Sequence, residues 1–499
     1  MAFMLAGCGG GGGGSSPGTT TTQTPSGTES FTLTSAAVSS AGELAADYTC
    51  DGMGSSPALS WSQAPAGTNQ FAVLMSTLPG DGSIKYNWAL YNIPATRTTL
   101  GRDSFGIGIL GTGSDGPAAA YQAPCSQGPG AKTYTVTVYA LSAAPALTGV
   151  VTGAQVASAI APLTLGKASL NMSYSRSSNS PGNSSACLLV RNSLAASTTG
   201  DAQASCDSDY AYISSNGLAS HAMMNGITAT NLQVPTAQAF LGSNAWRIPL
   251  NPVPASSPAS AVDGPIGVAI NGVPIFNPCK QGGCQNGDTK VLGELDQCNG
   301  HAGRADDYHY HAAPVCLMAG KSSSYWDTHP LGWALDGYGI FGYNGPNGQP
   351  AVRDGVCGGN TGAVSNAPAG YSYHVTDASP YVLSCFYGKP SPDLAGQAAK
   401  YSPMRTPPVT PFAVSSMSLS SNATTGQKTL QWSSASSFTT TDGASYNNLP
   451  GTYQIRYVAL SGTELEAALS SRAGKTACWR FEFTNSSQVS SQPAAVYCR

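Results

Sequence analysis

Histidines are concentrated in one short stretch of the chain, ELDQCNGHAGRADDYHYHAAPVC, which covers residues 294–316. The stretch holds His301, His309 and His311, which are three of the six histidines in 499 residues. Side chains alternate between the two faces of a strand, so a strand over YHYH would place His309 and His311 on one face and the tyrosines on the other. Two imidazoles in this arrangement are well placed to share a metal ion.

A complete metal site needs further ligands. His301 follows a glycine turn and is the predicted third ligand, and His374, from a second Tyr/His segment, is the predicted fourth. Three or four histidines suit zinc or copper, and a catalytic zinc would keep an open position for water. Asp296 or Asp336 could orient an imidazole from behind. The sequence therefore predicts a transition-metal site, zinc or copper.

Two other interpretations of these side chains remain open. They could form a buried hydrogen-bond network with no metal, or a metal-free catalytic site. Tyr308 and Tyr310 are more typical of packing residues than of redox groups. His329, in DTHPLGW, is more typical of a loop residue than of a ligand, whereas His221, in NGLASH, suits either role. Asp336 lies in a predicted turn, which accounts for it without a site.

The histidine-rich stretch is one copy of an internal repeat. Both copies run Asp, Cys, Gly, Tyr-x-Tyr-His, Cys. Their members are Asp296, Cys298, Gly300, 308–311 and Cys316 in the first copy and Asp354, Cys357, Gly359, 371–374 and Cys385 in the second. The second copy has Ser372 where the first has His309, and Asn360 where it has His301. Two such units predict a pseudo-symmetric pair whose Tyr/His strands could face one another.

Two further segments resemble each other, AINGVPIF (269–276) and ALDGYGIFG (334–342). Each has a short apolar run, a turn and a second apolar pair. We predict two hairpins, with tight turns at Asn271-Gly272 and Asp336-Gly337.

Composition and missing motifs narrow the function classes. Charged residues are 9% of the chain and the net charge is -3, so no basic stretch is long enough to follow a nucleic acid backbone. We expect no nucleic acid partner and, without a glycine-rich phosphate loop between a strand and a helix, no nucleotide cofactor. The G-x-S-x-G and H-E-x-x-H motifs are also missing. Two alternatives to a metal-binding protein stay open: an extracellular metal-dependent hydrolase or oxidoreductase using the same histidines, and a non-catalytic binding or adhesion protein.

The fold class follows from short apolar or alternating runs between Gly, Pro and Asn breaks, such as FAVLM, YTVTVYAL and TYQIRYVAL. A chain of 499 residues is too long for one small core. We predict a mostly β protein, with two or three disulfide-rich antiparallel β domains and few short helices. TELEAALSSRAG (463–474) is the one stretch with helical spacing.

The cysteines indicate an oxidising compartment. There are 13, with no C-x-x-C pair, which favours a disulfide framework. Leu5-Ala6-Gly7-Cys8 resembles the end of a bacterial lipoprotein signal, although the positively charged region expected before it is missing. Lipidation of Cys8 would leave an even number of cysteines. We predict a cell-envelope protein, either an outer-membrane lipoprotein or a periplasmic or extracellular one, held to the membrane through a lipid and the tether over residues 1–30.

Four motifs in order carry a first family resemblance: DYTCDGMGSSPALSW (47–61), NWALYNIPA (87–95), PCSQGPGAKTYTVTVYAL (124–141) and LNMSYSR (170–176). Residues 31–178 thus resemble the bacterial branch of the phosphatidylethanolamine-binding protein family. The resemblance implies a compact antiparallel β fold with a small anion pocket at one end.

This region departs from the family at that pocket. STLPGDG (76–82) stands where the family has an Asp-Pro-Asp-x-Pro segment, and Asn87 and Lys132 stand where it has histidines. Lys132 is the one predicted anion contact, and it is a weak one. A retained scaffold used as a spacer or protein contact is the favoured interpretation.

Residues 187–400 resemble the bacterial family named for its Tyr-His-Tyr-His motif, which implies little about chemistry. The matching stretches are SNGLASH (215–221), DGPIGVAINGVPIFNPC (263–279), ELDQCNGH (294–301), DYHYH (307–311), LGWALDGYGIFG (331–342) and YSYHVTDASPYVLSCFYG (371–388). Residues 177–186, SSNSPGNSSA, are predicted to be a linker. Residues 405–499 follow a Pro-rich boundary and are predicted to be a structural β module or a capping sheet.

Six disulfides are predicted, two of them bracketing the Tyr/His segments of the repeat and one tying the first hairpin of the second domain, Cys187–Cys206. The other five are Cys50–Cys125, Cys279–Cys284, Cys298–Cys316, Cys357–Cys385 and Cys478–Cys498.

Overall fold

The computed structural model describes most of the chain. The described residues are 30–126, 130–228, 234–261, 264–303, 306–353, 356–362, 364–368, 370–395, 400, 404, 409–410, 414–434, 439–440, 450–484 and 490–499. The predicted lipidation site Cys8, the predicted tether and Asp354 of the repeat lie outside them. Residues 31–499 form one compact unit.

The first region is an antiparallel β fold, because its alternating and apolar runs form long strands. Its elements are β1 (Thr32–Thr34), β2 (Leu59–Ser62), β3 (Gln70–Thr77), β4 (Lys85–Pro94), β5 (Thr99–Leu100), β6 (Ile109–Leu110), β7 (Gly130–Leu141), α1 (Gly153–Ile160) and β8 (Thr164–Arg176). One sheet has the order β6-β4-β3-β7-β8 and a second has the order β1-β2-β5. The core between the two sheets includes Trp61, Phe71 and Trp88, and α1 covers the opposite face of β3 and β4.

The second region contains short strands around one long sheet. Its elements are α2 (Ser185–Ala195), β9 (Gln203–Cys206), β10 (Tyr210–Ser214), β11 (Trp246–Pro249), β12 (Pro254–Ser260), β13 (Pro265–Ala269), β14 (Pro274–Phe276), β15 (Gly300–Ala302), β16 (Tyr308–Tyr310), α3 (Val315–Met318), β17 (Gly332–Ala334), β18 (Gly339–Phe341), β19 (Gly359–Gly362), β20 (Gly370–His374) and β21 (Cys385–Gly388). The sheet has eight strands, in the order β15-β16-β14-β13-β17-β18-β20-β19.

This strand order is symmetric about the pair β13 and β17. On each side a hairpin comes first, then the Tyr/His strand, which runs parallel to the outer strand of the hairpin, and then an antiparallel edge strand. The two halves meet where β13 and β17 pair antiparallel, with Val268 opposite Trp333. The two predicted hairpins are present, with Gly272 and Gly337 at positive φ in their turns. The repeat therefore folds as two halves of one sheet, and the Tyr/His strands lie on opposite sides of its centre.

The C-terminal region adds a further sheet to the same core. Its elements are β22 (Val409–Thr410), β23 (Val414–Ser421), β24 (Lys428–Ser434), β25 (Thr439–Thr440), β26 (Gly451–Ala459), α4 (Gly462–Leu469), β27 (Cys478–Thr484) and β28 (Ser490–Cys498). The order β23-β24-β26-β27-β28 is antiparallel throughout. One hydrophobic cluster continues from Cys187 to Phe483. The hydroxyl of Tyr457 donates to Pro235 O at 2.9 Å.

Three of the described helices, α1, α2 and α3, were not expected from the sequence. The prediction of a linker over residues 177–186 is wrong at its end, since α2 begins at Ser185, where Ser184 Oγ accepts from Cys187 N at 3.2 Å. In α1, Thr152 and Gln155 cap each other reciprocally, a Thr-x-x-Gln signal that sequence reasoning overlooked. Among the described residues, no helix is both long and apolar enough to cross a bilayer.

The six predicted cysteine pairs are all within disulfide-bonding distance. The pairs are Cys50–Cys125, Cys187–Cys206, Cys279–Cys284, Cys298–Cys316, Cys357–Cys385 and Cys478–Cys498. One detail of the prediction is wrong: Cys187 lies in α2, so its bond ties a helix to β9 and not the two strands of a hairpin. The helix arises because its apolar residues Cys187, Val190 and Leu194 recur at helical spacing and are buried.

Candidate metal centre

Three histidines of the first repeat unit meet on one face of β15 and β16. His301 lies directly opposite His309 in the antiparallel register, and His311 follows the end of β16. Their rings are in edge-to-face contact, with centroids 4.8 to 4.9 Å apart. All three are buried, with 8% of His301, 4% of His309 and 3% of His311 exposed. The alternation of faces predicted for YHYH holds, since the two tyrosines contact other groups.

The ring nitrogens are close enough to share one ion. Nε2 of His311 lies 3.1 Å from Nε2 of His301, and one nitrogen from each of the three rings lies within 4.8 Å of the others. Ligands around a tetrahedral zinc, at bonds of about 2.0–2.1 Å, lie roughly 3.3 Å apart. The three-histidine set therefore fits a transition metal, with small ring movements at its longer edges.

Two neighbours fix the tautomers of His309 and His311. Nδ1 of His309 lies 2.9 Å from the Asp307 carboxylate, and Nδ1 of His311 donates to the carbonyl oxygen of Asn277. With its proton on Nδ1, each ring keeps a lone pair on Nε2, which is the form that binds metals. Phe276 stacks on His309 with centroids 3.9 Å apart and so limits its rotation.

Burial favours the neutral imidazole here. It lowers the pKa of His301 and of His311 well below 6.5, and the neighbouring histidines add to that lowering. The Lys280 ammonium contributes in the same direction at His301, while the Glu294 backbone opposes it. Lys280 and Glu294 form an ion pair at 2.7 Å beside the cluster.

Two glycines leave the space that these rings occupy. A Cβ added to Gly303 would lie 2.7 Å from Cε1 of His309, and one added to Gly300 would lie 2.5 Å from the ring of Tyr308. Neither glycine is at positive φ, so close approach and not backbone conformation requires them.

The tyrosines of β16 hold the strand from its other face. Tyr308 donates to Asp296 at 2.8 Å, and Asp296 also accepts from backbone N–H groups, including those of Cys298 and Gly300. Burial raises the pKa of Asp296. Asp296 thus orders the loop before β15. Its predicted role of orienting an imidazole would require contact with a histidine ring, but its hydrogen bonds go to Tyr308 and to backbone N–H groups.

His221 belongs to this opposite face. Its Nε2 lies 2.6 Å from the Tyr310 hydroxyl, which also accepts from Asn271 Nδ2 at 3.0 Å. Ligand atoms of His221, Cys298 and Cys316 lie within 4.8 Å of one another. The two sulfurs are bonded to each other, however, so they provide no thiolates for a metal.

The second repeat unit repeats this frame with fewer imidazoles. Nδ1 of His374 lies 3.1 Å from Gly342 O, as His311 pairs with Asn277 O. Tyr373 donates to Asp336 at 2.6 Å, as Tyr310 pairs with Asn271. Asn360 lies opposite Ser372 in the register in which His301 lies opposite His309.

The structure does not bring His374 to the other three histidines. It lies in the second half of the sheet, where its Nε2 is 3.2 Å from Ser372 Oγ. Asp336 is fully buried beneath the second Tyr/His strand, and burial raises its pKa to about 6. His329 stacks on Tyr325 in a loop, with centroids 3.9 Å apart.

In the first region an ion pair is buried close to the Cys50–Cys125 disulfide. Arg176 holds the Asp51 carboxylate through several hydrogen bonds, with both side chains buried, and the Tyr174 hydroxyl contacts the same carboxylate. Asn87 donates to Gln122 O at 3.0 Å. Lys132 is exposed on β7 opposite Tyr174. The anion contact of Lys132 stays a prediction.

Sequence reasoning missed the supporting residues of the cluster, namely Asp307, Asn277, Phe276 and Gly303. Only Asp307 had a local signal, a carboxylate two residues before His309 in DDYHYH. Phe276 and Asn277 approach the cluster because β14 pairs with β16, and Gly303 does so because β15 pairs with β16.

Comparison with known proteins agrees with both sequence resemblances. The family model described as phosphatidylethanolamine-binding protein matches residues 34–175, and the one described as YHYH protein matches residues 245–354. Both predictions are confirmed. No curated protein matches the chain.

Two of the solved structures that match part of this chain are homologues of phosphatidylethanolamine-binding proteins. One is a phosphatidylethanolamine-binding protein homologue from Chlamydia trachomatis, 24% identical, covering 30% of this chain and 98% of that one, with a TM-score of 0.28. The other is YbcL of Escherichia coli, described as a new member of the mammalian family, 24% identical, covering 30% of this chain and 99% of that one, with a TM-score of 0.28.

Proposed function

We propose that this chain, which joins a phosphatidylethanolamine-binding-protein region to a YHYH region, binds a transition metal through His301, His309 and His311. The observation that carries the proposal is the convergence of three ring nitrogens within 4.8 Å. The contacts of Asp307 and Asn277 support it, because they place the protons of two rings on Nδ1. Zinc and copper are the ions that three imidazoles suit best.

Burial of the three rings favours binding over turnover at this centre. Each histidine is less than a tenth exposed, and Phe276 covers one ring face. A hydrolytic zinc needs a position open to water and substrate. We therefore assign the centre to metal binding.

We also propose that the protein is exported and held at the bacterial cell envelope by a lipid on Cys8. The six cysteine pairs support an oxidising compartment, and the Leu-Ala-Gly-Cys sequence supports lipidation. Labelling of cells with a radioactive fatty acid tests this idea. Label should enter the wild-type protein and not Cys8→Ala, and equal labelling of both would rule out lipidation at Cys8.

Metal analysis of tag-free protein tests the metal proposal. After reconstitution with zinc or with copper and removal of excess ion, mass spectrometry should find about one ion per chain for at least one metal. His301→Gln, His309→Gln and His311→Gln should each lose it, whereas His329→Gln, which alters a loop histidine, should retain it. Substoichiometric zinc and copper in the wild-type protein would refute the proposal.

A further inference from the structure

A cavity of about 380 Å³ separates the first region from the second. The loop over residues 115–125 forms one wall, with Tyr121 and Gln122 among its residues, and α2, β9 and the segment between them form the other. A smaller cavity of about 70 Å³ continues from it past Tyr121 and Asp201. We call the two together the cleft. Neither family region alone contains both walls.

A disulfide braces each wall of the cleft, and a backbone hydrogen bond joins the two walls. The Cys50–Cys125 disulfide lines the cleft on one side, and Cys206, bonded to Cys187, donates its N–H to Cys50 O at 3.1 Å. A cleft with walls fixed in this way loses little freedom when a ligand binds, which is the condition for useful affinity in a small site.

Arg191 brings a cation into the cleft without a carboxylate partner. Its Nη1 contacts only Cys125 Sγ at 3.5 Å and Gly182 O at 3.4 Å, and within the described part of the chain it forms no ion pair. The nearby carboxylate of Asp51 is already held by Arg176. Burial and the neighbouring Arg176 guanidinium lower the pKa of Arg191, and the Asp51 and Asp115 carboxylates offset that lowering only in part, so an anion in the cleft would stabilise the Arg191 charge.

Asp201 brings an anion to the junction of the two cavities. Its one hydrogen-bond partner is Asn216 Nδ2, at 3.5 Å, and among the residues that the structure describes it has no cationic partner. Burial raises its pKa. Asp115, at the rim, differs because Lys85 approaches it at 3.4 Å.

The cleft is therefore lined by one cation, Arg191, and one anion, Asp201, that form no ion pair among the described residues. A guanidinium binds a carboxylate through two parallel hydrogen bonds, and a half-buried carboxylate such as Asp201 can accept hydrogen bonds from an ammonium. A polyanion fits poorly, because Asp201 and Asp115 would repel it. Ser197 and Gln203 supply further polar groups along the wall.

From these contacts we infer that the cleft binds an amino acid or short peptide as a zwitterion, with its carboxylate on Arg191 and its ammonium on Asp201. The site does not depend on the proposed metal. One wall of the cleft nevertheless contacts the half of the sheet that carries the three histidines. A Cβ on Gly200 would lie 2.7 Å from Cβ of Asn271, and Asn271 donates to the Tyr310 hydroxyl of β16.

Titration calorimetry with triglycine on the full chain tests the inference. Triglycine should bind the wild-type protein, while N-acetyl-triglycine and triglycinamide, which each lack one charge, should bind at least about tenfold more weakly. Arg191→Gln and Asp201→Asn should cause losses of the same size. Arg480→Gln, which alters a surface arginine paired with Glu464, should not.

Three results would overturn the inference. They are no triglycine binding to the wild-type protein, binding of either blocked peptide as tight as that of triglycine, and unchanged binding in Arg191→Gln. Arg191→Lys, which keeps the charge and loses the planar fork, should recover part of the affinity and guards against misfolding of the glutamine variant. His309→Gln should bind triglycine normally, so failure of the metal proposal leaves this test intact.

Discussion

The Asp307 carboxylate lies 2.9 Å from Nδ1 of His309, and both side chains are buried. This pair matters because a carboxylate behind an imidazole fixes the tautomer and makes the far nitrogen a better ligand. Asp307 directly precedes β16 and lies two residues from the histidine that it contacts, so one short segment carries both the candidate ligand and its support.

We predict that Asp307→Asn weakens metal binding without abolishing it. The amide still reaches Nδ1, but it removes the negative charge that strengthens the His309 ligand. A loss of roughly 10- to 100-fold in metal affinity is expected, measured by competition with a chromophoric chelator. Asp377→Asn, at a carboxylate that contacts Tyr343 in an exposed position, should have wild-type affinity. Equal affinities for all three proteins would show that Asp307 has no part in the centre.

Gly303→Ala should displace His309. The new methyl group would meet Cε1 of that ring at 2.7 Å, which is closer than atoms approach without a shift. We expect metal affinity to fall by about tenfold or more, because ligand position is lost while the ligand itself remains. Gly80→Ala is the matched control, since its Cβ meets nothing within 4 Å. Chelator competition for the two alanine variants should separate them clearly, and identical curves would contradict the prediction.

The second half of the sheet should accept a second metal after two substitutions. Asn360→His together with Ser372→His would recreate, around His374, the arrangement of the first unit, because the strand registers correspond. Reconstituted protein should then hold about two ions per chain, one more than we propose for the wild type. Adding His374→Gln should return the count to one. A double variant that folds and still binds a single ion would show that the backbone frames differ.

Stability should depend on pH through Asp336. Burial raises its pKa from 3.8 to about 6, so the folded chain holds a proton that the unfolded chain releases. The stability that this group contributes is full below pH 3.8 and is lost as the pH rises through about 6. A pKa raised from 3.8 to about 6 corresponds to about 3 kcal/mol. Asp336→Asn cannot titrate and lacks this dependence.

Urea titrations between about pH 4 and pH 7 measure this effect. The free energy of unfolding of the wild type minus that of Asp336→Asn should fall by about 3 kcal/mol over that range. His301 and His311 contribute in the opposite direction, because their lowered pKa values cost stability as the pH falls below 6.5. Both proteins contain these histidines, so their contribution cancels when the two free energies of unfolding are subtracted. A flat difference would mean that Asp336 titrates normally.

Local patterns were sufficient for much of this fold. Alternation placed His309 and His311 on one face, and the bracketing of each Tyr/His segment by cysteines gave the correct pairs. The Asn271-Gly272 and Asp336-Gly337 turns were recognisable because their positive φ values restrict the residue types. In each case the interacting residues are close in sequence or tied by a covalent bond.

Local sequence patterns could not predict which strands pair when they are far apart in the chain. The placement of β13 beside β17 sets the two halves of the sheet apart, and this is why His374 lies away from the cluster that it was predicted to join. The carbonyl of Asn277 reaches His311 only because β14 and β16 run in parallel, 34 residues apart at that contact. The cleft depends on contacts between the first and second regions, whose lining residues are far apart in sequence.

The hydrophobic cluster that runs from Cys187 to Phe483 limits how the chain can be cut. Trp432, Ile455 and Phe481 lie in that cluster alongside Trp246 and Trp333. A fragment ending near residue 400 would expose this apolar surface to water, so it should aggregate where the longer chain stays in solution. The second region and the C-terminal region should therefore unfold in one cooperative thermal transition. A protease that cuts at the Pro-rich boundary between them should release no stable fragment.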